Sequence, residues 1–272
     1  EVFAIDVCAY AVMSNHTHLV LHVNKEKADA LSTEDVIQRW HKLYKGTLIS
    51  QRYLSPDLRK ELHETQIKTV ELTAEVWRKR LFDISWFMRA LNEYIARAAN
   101  KEDDCTGHFW EGRFKSQALL DESALAACMA YVDLNPIRAK MAKTPEASDH
   151  TSIKYRINAA RLGKTPKRLM PFVGNPRQEM PHGLPFTLPD YLQLVDITSR
   201  YIHPNKRGKV QHNLPPILER LNIEHEHWIT LTTQFETCFK HAAGKVIHLE
   251  LYAQNQHQQR VQCRHSAMRL LG

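Results

Sequence analysis

Residues 3–12, FAIDVCAYAV, are apolar and β-favouring, and residues 16–24, HTHLVLHVN, alternate strongly between polar and apolar. Met13, Ser14 and Asn15 make a short polar break between them. The pair reads as an antiparallel hairpin. Alternation sets His16, His18, Val20 and His22 on one face, with Thr17, Leu19, Leu21 and Val23 on the other. Most of the chain beyond residue 24 has helical rather than strand periodicity, so the predicted class is α+β, with an antiparallel sheet carried near the N-terminus.

A helix is predicted over 33–46, capped by Ser32 or Thr33, and residues 48–75 read as an insertion of short helix and loop. Trp77, Leu81, Ile84, Trp86, Phe87, Leu91, Ile95 and Ala98 recur at helical spacing and predict one helix over 76–100. A strand is predicted within 105–120, CTGHFWEGRFKSQALL, after a break at Gly107. Asp121 is a suitable cap for a helix from Glu122 to about Leu134, and Pro136 demands a kink or a new turn before IRAKMAK continues to Lys143. A further helix is expected at about 152–162. Six prolines and three glycines fall just beyond it, so the chain is divided into an α+β domain at 1–162, a linker at 163–187 and an all-helical C-terminal domain at 188–272.

Composition narrows the function classes. The chain is 43% hydrophobic with a mean hydropathy of −0.46, which excludes a mostly disordered chain. It has no run of 18 apolar residues to span a membrane, and its first residues, EVFAIDVCAYAVM, lack the basic region expected of a secretory signal. Five cysteines without a Cys-x-x-Cys pair argue against a zinc ribbon or disulfide framework and fit a reducing cytoplasm. A net charge of +7 favours a polyanionic partner, although ordinary basic enzymes share that balance.

Three groups of residues could carry chemistry. His16 and His18, two apart on a strand, project from one face and can grip a divalent ion while leaving positions open; two partly exposed strand histidines would read the same. Tyr131 and Asn135 lie one helical turn apart, so a phenol and an amide oxygen share a face. A tyrosine packed under a proline bend, with Asn135 as a cap, is the competing explanation. In the predicted strand, Trp110, Gly112, Phe114 and Ser116 would face one way and Glu111, Arg113, Lys115 and Gln117 the other. Rings interleaved with basic groups suit single-stranded nucleic acid, as they suit a sheet with one wet face. Arg138, Lys140 and Lys143 add positive charge after the tyrosine.

Taken together, AYAVMSNHTHLVLHV at 9–23, FWEGRFKSQALLDE at 109–122 and YVDLNPIRA at 131–139 resemble the REP-associated tyrosine transposases and the wider insertion-sequence transposases with an HUH motif. The resemblance covers residues 1–160. It implies a ferredoxin-like antiparallel sheet with helices, with His16, His18 and Asn135 holding Mg²⁺ or Mn²⁺. It also implies that Tyr131 is the nucleophile. The implied reaction is cleavage and rejoining of single-stranded DNA through a 5′-phosphotyrosine, at sequences flanked by small REP-like hairpins. Trp110, Arg113, Lys115, Arg138 and Lys140 are the expected DNA contacts. The implied location is the cytoplasm, at the nucleoid, and a homodimer is an assembly the family allows.

Two departures accompany the match. The middle residue of the motif, usually hydrophobic, is Thr17. The family order is βαββαβ, and this chain begins with Glu1 at what should be the second strand, so the first strand and helix are expected to be absent from it. The competing reading is a catalytically silent nucleic-acid-binding regulator on the same fold. A replication-initiator-like nickase would often carry a G-x-x-x-x-G-K-[ST] loop, and none occurs.

Overall fold

A computed structural model describes residues 2–174, 182–202 and 215–272. The basic cluster Lys206, Arg207 and Lys209 lies outside them. The protein is mixed α/β, and among the described residues no helix is long and apolar enough to cross a membrane. The hairpin forms as expected: β1 (Ile5–Val12) and β2 (Thr17–Val23) make a two-stranded sheet, closed by a bond from Met13 N–H to the His16 carbonyl.

The chain divides into two compact units, and the expected boundary at 163–187 does not separate them. The first unit holds residues 1–6 and 22–115. It contains α1 (Lys25–Asp29), α2 (Thr33–His41), α3 (Leu48–Leu54), α4 (Pro56–Arg59), α5 (Glu64–Leu81) and α6 (Ile84–Glu102). Ser32 is the cap of α2 and forms a capping box with Asp35. The core gathers Val36, Ile37, Trp40, Val70, Ala74, Trp77 and Leu81, with the rings of Trp40 and Trp77 stacked at 5.5 Å.

The single helix expected over 76–100 is two helices. Phe82 leaves helical geometry, and the Asp83 carboxylate accepts from the backbone N–H groups of Ser85 and Trp86, so it restarts the ladder as an N-cap. The segment expected to be an insertion, 48–75, is correspondingly the run of α3, α4 and most of α5. Asp83→Ala is expected to cost about 1 kcal/mol, read from urea unfolding. An unchanged midpoint would show that packing alone sets the break.

The second unit holds residues 7–21 and 116–272. Its elements begin with β3 (Ala118–Leu119), α7 (Glu122–Asp133), α8 (Asn135–Arg138) and α9 (Ser152–Arg161). They continue with α10 (Leu188–Ile202), α11 (Pro216–Leu221), α12 (His225–Cys238), β4 (Ala242–Ala243), α13 (Val246–Asn255) and α14 (Arg264–Leu270). Asp121 caps α7 as predicted, accepting from Ala124 N–H. Its second oxygen accepts from Lys245 N–H and meets His248 Nδ1 at 2.9 Å, which ties the start of α7 to the start of α13. Pro136 opens a new turn, α8, which ends at Arg138 rather than running to Lys143; Lys140 takes a left-handed φ of 59°.

The strand expected within 105–120 is reduced to two residues. Ala118 and Leu119 pair in parallel with Ala242 and Ala243, apart from the hairpin, so the four-stranded ferredoxin-like sheet is not formed among the described residues. Alternation makes a segment able to pair; a ladder needs a neighbour, and residues 109–117 pair with no strand among the described residues. The edge of β1 is instead closed by other groups. Val12 N–H bonds the His150 carbonyl, and Met170 N–H bonds the Val7 carbonyl. The Ser152 hydroxyl accepts from Tyr10 N–H, and Arg156 donates to the Cys8 carbonyl at 2.6 Å. These bonds satisfy backbone groups that an added strand would otherwise have to meet.

Candidate active site

The C-terminal end of α7 carries Tyr131, and the end of β2 nearest the turn carries His18 with His16 just before it. All lie in the second unit. The His16 and His18 rings stand perpendicular with centroids 4.9 Å apart, and the His18 ring meets the Tyr131 ring edge-on at 6.0 Å. Residues distant in the sequence are thus brought into one cluster. His18 is partly buried while His16 is exposed. Burial holds His18 below the ordinary histidine range, against the opposing pull of Glu236, so its imidazole favours the neutral, ligand-competent form. The third histidine of that face, His22, lies in the first unit and faces Asp6, Nδ1 to Oδ2 3.6 Å.

Arg138 organises the ground beneath the tyrosine. Its guanidinium carbon sits 3.5 Å from the Tyr131 ring centroid, a cation–π arrangement. Burial pushes the Tyr131 phenol above its usual value, while the Arg138 charge pulls it back down. Arg138 also donates to the carbonyls of Thr232 and Thr233 at 3.2 and 3.3 Å. Those carbonyls immediately precede a break in α12 at Gln234, whose φ of −130° is not helical. A side chain set against the i→i−4 ladder is a recognised cause of such a kink. Past the break, Phe235 packs near the Tyr131 ring at 6.0 Å, and Glu236 brings Oε1 within 3.5 Å of His18 Nδ1.

Asn135 departs from the role the resemblance implies. It is buried, its Oδ1 accepts from Arg138 at 2.8 Å, and its Nδ2 has no hydrogen-bond partner among the described residues. An oxygen already facing a guanidinium is a poor ligand for a divalent cation, because the two positive charges would compete for it. Of the expected metal set, His16 and His18 stand side by side, and Asn135 could join them only if Arg138 released its oxygen.

The remaining expected DNA contacts divide between the units. Arg113 and Lys115 are exposed in the first unit, and Lys140 is exposed in the second. Trp110 is half-buried and donates its indole N–H to the Asn92 carbonyl at 3.0 Å, which ties it to α6 rather than leaving the ring loose for stacking.

Two residues of the site escape sequence reasoning. Glu236 sits in an unremarked polar stretch and meets His18 only through the fold. Asp133 has a local signal, an acid alone in the apolar run ALAACMAYVDL. It is fully buried and accepts from the Ser152 hydroxyl, Ile153 N–H and the Tyr191 hydroxyl. It thereby anchors the end of α7 that presents Tyr131.

The fold and site together define a mixed α/β protein with a paired-histidine and tyrosine cluster built on a hairpin and one helix. No protein-family model, curated protein or solved structure matches the chain.

Proposed function

We propose that this protein is a metal-dependent transposase that cleaves and rejoins single-stranded DNA through Tyr131, at sequences flanked by REP-like hairpins. The observation that carries the reading is the meeting of His16, His18 and Tyr131 in one cluster. Those are the residue types a tyrosine transesterification requires, and the resemblance names the same three. His16 and His18 would hold Mg²⁺ or Mn²⁺, which supplies Lewis-acid polarisation of the scissile phosphate.

The chain's own residues do the rest. The Tyr131 oxygen attacks phosphorus as its proton passes to solvent; a P–O bond to tyrosine forms as the bond to the 3′-oxygen breaks, and that oxygen takes a proton back from solvent. The products are a 5′-phosphotyrosine and a free 3′-hydroxyl, and attack by another 3′-hydroxyl reverses the step. Bond energy is conserved throughout, so no nucleotide cofactor is consumed. Arg138 lies where its charge favours the phenolate and can also meet a phosphate oxygen. Arg113, Lys115 and Lys140 offer exposed charge for the DNA backbone.

A second reading, a silent nucleic-acid-binding regulator, is favoured by the engagement of Asn135 with Arg138. One experiment separates the two. Labelled hairpin-flanked single-stranded DNA is incubated with the protein and Mn²⁺, then run on a denaturing gel. The transposase reading expects a slow-migrating covalent adduct that is lost in His16→Ala. Retained binding without any adduct on a cognate substrate would transfer the assignment to the regulator.

A further inference from the structure

Each histidine of the pair has an oxygen at its Nδ1. Asn15 Oδ1 stands 2.6 Å from His16 Nδ1, and Glu236 Oε1 stands 3.5 Å from His18 Nδ1. An amide oxygen and a carboxylate accept and do not donate, so each partner selects the tautomer with its proton on Nδ1 and a free lone pair on Nε2. We infer that Glu236, from the last turn of α12, is a positioning residue that holds His18 in the Nε2-ligating tautomer, as Asn15 does for His16. A histidine that binds a metal commonly gives its other ring N–H to such a partner, which fixes the ring and raises its basicity.

Three features of the site favour this role over direct ligation. The Glu236 contact is made at Nδ1, and the same partnership recurs at His16 with a neutral residue. The Glu236 side chain is 61% exposed, so it can close the last few tenths of an ångström without disturbing the core. The break at Gln234 lies two residues before it, so the carboxylate stands on the far side of the kink from most of α12.

The inference rests on the metal site proposed above, yet it is read without metal or DNA. Long-range ¹H–¹⁵N correlation on the metal-free full chain reports which ring nitrogen of His18 carries the proton. The Nδ1–H form is expected in the parent protein and in Glu236→Gln, whose amide oxygen can accept in the same place. In Glu236→Ala, His18 should shift toward the Nε2–H form. Calorimetric Mn²⁺ affinity should fall about ten- to a hundredfold in Glu236→Ala and change by less than about threefold in Glu236→Gln. An unchanged tautomer in Glu236→Ala would overturn the inference. So would an equal loss of affinity in both variants, which would make the carboxylate itself a ligand. Absence of the DNA adduct in the parent protein, with the expected tautomers in all three proteins, would instead count against the proposed reaction and leave this inference standing.

Discussion

Tyr131→Phe is expected to abolish covalent capture of DNA, a loss of at least about 10⁴-fold, because no other group takes over from a missing nucleophile. The substitution removes one oxygen and leaves the ring, so the contacts with His18, Phe235 and the Arg138 guanidinium persist. Stability should therefore change by no more than about 1 kcal/mol, the net worth of a hydrogen bond. DNA affinity should hold, since binding draws on charge that the variant keeps. Adduct yield on a denaturing gel, DNA affinity by anisotropy and a urea melt test the three parts separately. An adduct that survives in Tyr131→Phe would remove Tyr131 from its assigned role whatever the other two show.

Asp133→Ala is expected to cost about 3–5 kcal/mol of folding stability, measured by urea or thermal unfolding. Asp133 and Arg156 are both buried and interact electrostatically, so truncating the acid leaves a buried cation without its counter-charge. Three donors lose their acceptor at the same time, from Ser152, Ile153 and Tyr191. Asp133→Asn should be milder, since an amide oxygen still serves Ser152 and Ile153. Burial pushes the Asp133 carboxyl above its ordinary 3.8, and Arg156 and the three donors offset this only in part. A carboxyl raised on folding contributes stability at low pH and loses it as the pH rises from that value through the folded one. Relative to the parent, Asp133→Asn should lack this decline. A cost below about 1 kcal/mol in Asp133→Ala would mean the network is not what fixes the end of α7.

How much of the fold is legible in the sequence depends on where the information sits. The hairpin is legible because its alternation, its polar break and its short span are all local. The start of α7 is equally plain, since Asp121 acts on a backbone group three residues away. Reading one helix over 76–100 fails because apolar spacing continues through Phe82 and Asp83, and only the capping geometry reveals the restart. The strand at 105–120 fails for the opposite reason. Its pattern is genuine, but pairing is decided by what lies alongside, and the partner of Ala118 and Leu119 is at Ala242 and Ala243. In the candidate site, motif and spacing single out His16, His18 and Tyr131, and the fold brings them together. The same reasons single out Asn135, yet its contact with Arg138 depends on how the turn after Pro136 packs. Glu236 is beyond such reasoning, because no local pattern links a residue of α12 to a histidine of β2.

The reach of Arg138 into α12 has a thermodynamic corollary. One guanidinium serves the Tyr131 ring, the Asn135 oxygen and the carbonyls beside the kink at Gln234. An anion that draws this group toward the tyrosine must compete with those carbonyls, and a ligand that straightens α12 changes what they offer it. By reciprocity, whatever factor a ligand on the tail imposes on binding at the tyrosine, occupancy at the tyrosine imposes on the tail. The kinked end of α12 meets the hairpin cluster at three points, through Arg138, Phe235 and Glu236, so a ligand that shifted the kink would be felt at each of them.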